Sequence, residues 1–220
     1  MKLRLVESDT NPGSRRPLKS RASFWAVAFS GWLIRSGVTA NSISVMSVVF
    51  SLGAGALFTA IALNQVSEFW FPAGALLIQL RLICNLMDGM VAIEGGKKSP
   101  VGDLFNEVPD RLADLLILVP LGLNVSVQPL GIHLGWAVGT LAVATAYVRL
   151  QGASLTGRHE FCGPMAKPHR MALVTIACLL LPFLPNEWNA LQWILIAMAT
   201  GEVVTLWRRL SRIASLLRKK

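Results

Sequence analysis

Asn85 and Asp88 stand three residues apart, and Asn106 and Asp110 stand four apart. On helices these spacings place each pair on one face, one turn from each other. The short segment EGGKKSP lies between the pairs. If it joins two antiparallel helices, the four side chains meet at one level as an oxygen-rich pocket at a membrane surface. A carboxylate in an apolar helix costs roughly 2.5 to 3.5 kcal/mol near the bilayer centre and less toward the interface, so it needs a compensating partner. A divalent cation supplies that compensation, and oxygen ligands favour a hard ion such as Mg2+ or Mn2+. Gly89 and Ala92 keep the same helix thin, which permits close approach by another helix or a bulky ligand. Gly95 and Gly96 open the connecting segment, and Lys97 and Lys98 make it a place for phosphate. Asn and Asp at helix ends also cap helices and face water; two regular spacings on successive helices favour the shared pocket.

The elements that would position these residues are set by composition. Of 220 residues, 53% are hydrophobic and 15% charged, and mean hydropathy is +0.53, more apolar than a water-soluble core of this size requires. Windows long enough to cross a bilayer as helices fall near 43–63, 70–92, 104–126, 134–155, 169–185 and 189–207. The expected fold class is therefore an all-α integral membrane protein with six transmembrane helices, and no second large domain fits. Residues 22–36 are too short for a span and lie between Arg21 and Arg35, which suits an interfacial amphipathic helix. The alternative, an uncleaved signal-like segment, lacks a cleavage site after an adequate apolar core. The expected division is 1–36 for a basic tail and interfacial helix, 37–207 for the transmembrane catalytic domain, and 208–220 for a basic C-terminal tail.

The net charge of +9 is distributed in a way that argues against nucleic acid as a partner. Lys and Arg gather before the first window, after the second and fourth, and after the sixth, whereas the connections near 64–69, 127–133 and 186–188 carry none. That alternation follows the positive-inside rule and places both termini in the cytoplasm. Cys84, Cys162 and Cys178 have no metal or redox spacing.

The stretch 85–110 resembles the signature of the CDP-alcohol phosphotransferases, D-x-x-D-G-x-x-A-R, then eight residues, then G-x-x-x-D-x-x-x-D. Without a gap it falls on Asn85, Asp88, Gly89, Ala92, Ile93, Gly102, Asn106 and Asp110, and five of the eight match. GVTANSIS is similar to the family's T-P-N-x-[IL]-T segment, and AYVR and GPMAKPHR resemble its Y-x-R and G-x-x-x-R-P-x-R elements. The family plan of six spans, inward termini and an N-terminal interfacial helix matches the plan read above. The resemblance implies transfer of a phosphatidyl or other phospho-alcohol group from a CDP-linked donor, CDP-diacylglycerol or another CDP-alcohol, to a small hydroxyl acceptor with release of CMP. By position it implies Asn85, Asp88, Asn106 and Asp110 for metal, Asp110 also as base, and Gly89, Ala92 and Gly102 around the cytidine. It further implies a homodimer in a bacterial-type inner membrane, with the active site facing the cytoplasm.

Three signature positions depart. Asn85 and Asn106 remove two formal negative charges, and Ile93 replaces an arginine whose nearby substitutes are Lys97, Lys98 and Arg111. Asp103, Glu107 and Asp114 share a broad face with Asp110, where they either restore charge or act as solvated or capping groups. Pro109 frees the carbonyl of Phe105, unless the helix begins at that proline. Arg149, Lys167, His169 and Arg170 form either an acceptor-phosphate site or simply the basic side of the topology. Arg81 and Glu202 are unusual intramembrane charges with no motif match and no partner identifiable in sequence. The departures open a second class of function, a relative that binds CDP-lipid without turnover. A small ion transporter is a third, although its carboxylates should lie near mid-membrane.

Overall fold

The computed structural model describes residues 23–95, 102–185 and 188–218, with only the helical backbone at 103 and 106. The expectations for Lys97, Lys98 and residues 1–22, and for the side chains of Asp103 and Asn106, lie outside the described residues. Every regular element among them is helical: α1 (Phe24–Arg35), α2 (Ala40–Ala62), α3 (Phe71–Glu94), α4 (Gly102–Gly122), α5 (Leu130–Thr156), α6 (Lys167–Leu180) and α7 (Ala190–Leu217), with short 3-10 turns at Glu68–Trp70 and Leu181–Phe183.

Each hydropathy window coincides with one of α2 to α7. Among the described residues, four helical segments are long and apolar enough to cross a membrane: Ala40–Ala62, Glu68–Glu94, Leu130–Thr156 and Ala190–Leu217. The other two windows give helices that miss this combination for separate reasons. α4 carries Asp103, Glu107, Asp110, Arg111 and Asp114 from its start to just past its middle, and α6 has only 14 residues before Pro182 helps turn it into the 3-10 segment. α4 runs through Pro109 from a start at Gly102, so the helix does not begin at the proline. α7 continues past residue 207 to Leu217, and the basic segment 208–217 extends the last helix.

α2 packs against α3 and α4, α4 against α5, α5 against α7, and α3 against α6. Their shared core includes Phe58, Ile78, Ile117, Leu121, Met171 and Leu195. α1 lies against α3 over Ala26 and Leu33, and the Ser30 hydroxyl donates to Glu94 Oε2 at 2.8 Å. Its Phe24, Trp25, Phe29 and Trp32 remain exposed, the arrangement an aromatic face needs to sit among headgroups. The N-terminus of α2 is capped by Thr39, whose hydroxyl accepts from the Ser42 amide.

The closeness of α2 and α4 depends on Gly55. A Cβ there would collide with the backbone oxygen of Leu116, which cannot swing aside as a side-chain tip can. Gly55→Ala should therefore destabilise the bundle by about 1–3 kcal/mol through overpacking. A lower thermal midpoint of the detergent-purified variant checks this.

Candidate active site

The polar residues of five helices meet at one end of the bundle, and the sequence pattern explains how. The first turns of α2, α4 and α6 and the last turns of α3 and α5 come together there, because successive helices reverse direction. From α3, Asn85 donates its amide to Asp110 Oδ1 of α4 at 2.6 Å. The expected juxtaposition of the two polar pairs is present for these members. Asp88, only 5% exposed, accepts the Ser44 hydroxyl of α2 on Oδ2 at 2.8 Å, while its Oδ1 is buried with no hydrogen-bond partner among the described residues. From α6, the Lys167 ammonium is ion-paired with Asp110 Oδ2.

Behind Asp110 lies a buried charge chain. Arg81 of α3 is fully buried and reaches Asp114 Oδ1 at 2.9 Å, the Asp110 carbonyl at 3.3 Å and Asp110 Oδ1 at 3.5 Å. Arg170 of α6 donates to Asp114 Oδ2 at 2.5 Å and to Glu202 Oε1 of α7 at 2.8 Å. These contacts identify the partners of Arg81 and Glu202, and they tie four helices together beneath the site.

A second cluster lies beside it. Glu107 is held between Arg111 and Arg149, with Arg149 Nη2 2.8 Å from both carboxylate oxygens, and the Arg149 guanidinium lies over the Phe161 ring. Asp114 and Glu107 thus act as ion-pair partners and not as solvated caps. Of the residues expected to meet an acceptor, Lys167 borders Asp110, Arg149 is committed to Glu107, Arg170 is buried between two carboxylates, and His169 is exposed. Gly89 and Ala92 follow Asp88 on α3, Gly102 opens α4, and Ile93 is 46% exposed.

Motif reasoning missed Ser44, although it occupies the last position of the segment similar to T-P-N-x-[IL]-T. Its hydroxyl is the contact that fixes Asp88.

Does this donor set suit a divalent ion? Among the described residues no three His, Cys, Asp or Glu side chains gather as a metal-holding group. The buried, unpartnered Asp88 Oδ1 nevertheless offers a hard anionic ligand, and the Asn85 amide, with its nitrogen on Asp110, leaves a carbonyl oxygen for coordination. Asp88 would be the anionic ligand of a hard ion there, with amide and water oxygens completing an environment such ions accept.

No protein-family profile matches the chain. It is 26% identical over 189 residues to the Escherichia coli (strain K12) inner membrane protein YnbA, covering 84% of this chain and 88% of that protein. It is 25% identical over 194 residues to the phosphatidylinositol phosphate synthase of Mycolicibacterium smegmatis, covering 82% of this chain and 79% of the other. In fold it matches Mycobacterium tuberculosis phosphatidylinositol phosphate synthase (PgsA1) solved with CDP-DAG bound, with TM-score 0.69 and 19% identity over 84% of this chain and 92% of that one. The same enzyme in complex with manganese and citrate matches with TM-score 0.68 and 18% identity over 84% and 87%. The helices able to span a bilayer and the likeness to an inner membrane protein make this an integral membrane protein. The signature spacing on two adjoining helices and the sequence likeness to a synthase over four-fifths of the chain point the same way: the chain is similar to the CDP-alcohol phosphotransferases.

Proposed function

We propose that the protein is a phosphotransferase of phospholipid synthesis, moving a phosphatidyl group from CDP-diacylglycerol, or another phospho-alcohol group from its CDP-linked form, to an acceptor hydroxyl with release of CMP. The observation that carries this reading is Asp110 standing between Asn85 and Lys167 at the helix ends where the signature falls. In this reading α2 to α7 all cross the membrane, both termini and the site face the cytoplasm, and α1 lies in the interface. The relative solved with CDP-DAG supports the donor, and the relative solved with manganese supports a divalent ion, Mg2+ or Mn2+. A homodimer is the proposed assembly.

The chain's own residues perform definable tasks. A carboxylate has about four acceptor positions, so Asp110 can accept an acceptor's hydroxyl while keeping Asn85 and Lys167. It takes the hydroxyl proton as the oxygen attacks the lipid-side phosphorus; the bond from that phosphorus to the CMP oxygen breaks, and CMP departs with the electron pair. Asn85 and Lys167 orient the base through one oxygen each. Gly89, Ala92 and Gly102 leave room for the nucleotide beside Asp88. A bound divalent ion would neutralise pyrophosphate charge. Lys97 and Lys98 are proposed to add further positive charge, and Arg149, Lys167 and Arg170 to border the acceptor.

A second reading has a specific basis, because Asp110 is engaged by three side chains, Asn85, Lys167 and the more distant Arg81, and two signature acids are amides. Under it the protein binds CDP-lipid without turnover. The discriminating experiment offers CDP-diacylglycerol and Mn2+ to the purified protein with a panel of acceptors: glycerol phosphate, inositol, inositol phosphate and amino alcohols. A new phospholipid by mass spectrometry, matched by CMP, is the expected result. Donor binding without product across the panel would favour the second reading.

A further inference from the structure

We infer that Arg209 and Thr205 of α7, which lie outside every signature element, are positioning residues: they make the C-terminal part of α7 a splint for the α5–α6 connection, 157–166, and through it set Arg149 and Lys167 in place. The inference rests on the proposed transfer reaction, in which those two cations border the acceptor, and deepens it.

Arg209 belongs to a run of basic residues, yet it is only 4% exposed, whereas its neighbour Arg208 is exposed. A buried guanidinium is costly unless hydrogen-bonded, and this one donates from Nε to the Cys162 carbonyl at 3.0 Å and from Nη1 to the Thr145 carbonyl at 2.5 Å. One side chain thus joins α7 both to the connection and to α5, one helical turn before Arg149. Thr205, fully buried, accepts the Met165 amide on Oγ1 at 2.9 Å while its own proton goes to the Gly201 carbonyl at 2.7 Å. Gly163 lies between these two tethers with φ +121°, and a Cβ there would collide with Thr205, so the connection approaches α7 as closely as a glycine allows. Farther along α7, Ile213 fills the space over Gly152, and Arg212 reaches Glu160 at 3.2 Å.

The tethered connection has a cation on each side. Phe161, next to Cys162, lies 5.7 Å from the Arg149 guanidinium by its ring centroid, close enough for attraction, and Arg149 in turn holds Glu107 of α4. At the other end Ala166 is 4% exposed, and its carbonyl accepts the amides of His169 and Arg170. The connection therefore enters α6 without slack, and the Met165 tether stands two residues before Lys167, the partner of Asp110. Releasing the tethers should move Arg149 and Lys167 together. Asp88, Gly89, Ala92 and Gly102, proposed for the donor, stand on α3 and α4, which neither tether touches. Loss of the splint is accordingly expected at the acceptor and not at the donor.

The test uses the detergent-purified full chain with Arg209→Met, the nearly isosteric Thr205→Val, and Arg208→Met as the exposed neighbouring control. Two readouts by mass spectrometry need no turnover: hydrogen–deuterium exchange of the amides at 160–166, and reductive methylation of Lys167, which its pairing with Asp110 shields. Arg209→Met should speed both at least tenfold, Thr205→Val at least threefold, and Arg208→Met neither. With CDP-diacylglycerol and the panel acceptor that yields product, acceptor KM should rise at least tenfold in Arg209→Met, while donor KM and kcat stay within threefold. Unchanged exchange and methylation in both tether variants would overturn the inference. Equal rises in donor and acceptor KM would do so too, as the mark of a general loss of structure. Failure of both variants to fold would make the tethers a requirement of the bundle itself and would also overturn it. If the unmodified protein releases no CMP, the transferase reading falls, and exchange and methylation alone decide the splint.

Discussion

Asp110→Asn should reduce CMP release by about 10²- to 10⁴-fold, the range expected when a positioned general base is lost. The replacement is nearly isosteric, and its carbonyl oxygen can still accept the Asn85 amide now 2.6 Å away. It cannot take a hydroxyl proton, and its amide nitrogen would face Lys167 if the oxygen kept Asn85. Donor binding should change far less than turnover, because Asp88 and the small residues proposed to border the nucleotide are untouched. The measurement is therefore a pair: CDP-diacylglycerol affinity and the single-turnover rate of CMP formation. Equal losses in both would make Asp110 a binding residue, and an unchanged rate would remove it as base. Lys167→Ala separates base from orientation, since it leaves the carboxylate intact but frees one of its oxygens, and it should lower the rate less than Asp110→Asn does.

What was legible in the sequence was whatever local spacing or hydropathy encodes. Asn85, Asp88 and Asp110 were found by three- and four-residue steps and by the signature, and the structure brings Asn85 and Asp110 into contact. The helices were found because each window is apolar, and α1 because a stretch too short for a span lies between arginines. Pairings between helices distant in sequence were not legible. Arg81 and Glu202 stood out as costly burials, but Arg81 finds Asp114 across α3 and α4, and Glu202 finds Arg170 across α6 and α7. Only packing decides which charges meet.

Helix ends failed for a different reason. Hydropathy stops counting at Arg208, yet Arg209 donates to the carbonyls of Cys162 and Thr145, and Ile213 fills the space beside Gly152. Those contacts make 208–217 a helix that packs on α5, something a window average over charged residues cannot detect. Conversely, the apolar run after residue 180 overstates α6, because Pro182 sits where the chain turns into a 3-10 segment.

The largest stability effect should come from Asp114→Ala. Asp114 is 1% exposed and bridges Arg81 of α3 and Arg170 of α6, which are 0% and 2% exposed. Removing one partner of a buried ion pair costs about 3–5 kcal/mol, since the remaining charge is left uncompensated in a dry interior. Here two guanidiniums lose a shared partner, and Arg81 already has Nε and Nη1 without hydrogen-bond partners among the described residues. A large drop in the thermal midpoint in detergent, or loss of the folded protein, is expected. Asp114→Asn keeps an acceptor oxygen but not the charge, and should fall between Ala and the unmodified protein. The Arg212–Glu160 pair provides the contrast: its Arg212 is 61% exposed, and Arg212→Ala should barely move the midpoint. If Asp114→Ala and Arg212→Ala melted alike, the buried chain would not be what holds α3, α4 and α6 beneath Asp110. In that case the geometry of the base would have to be set by the surrounding apolar packing alone.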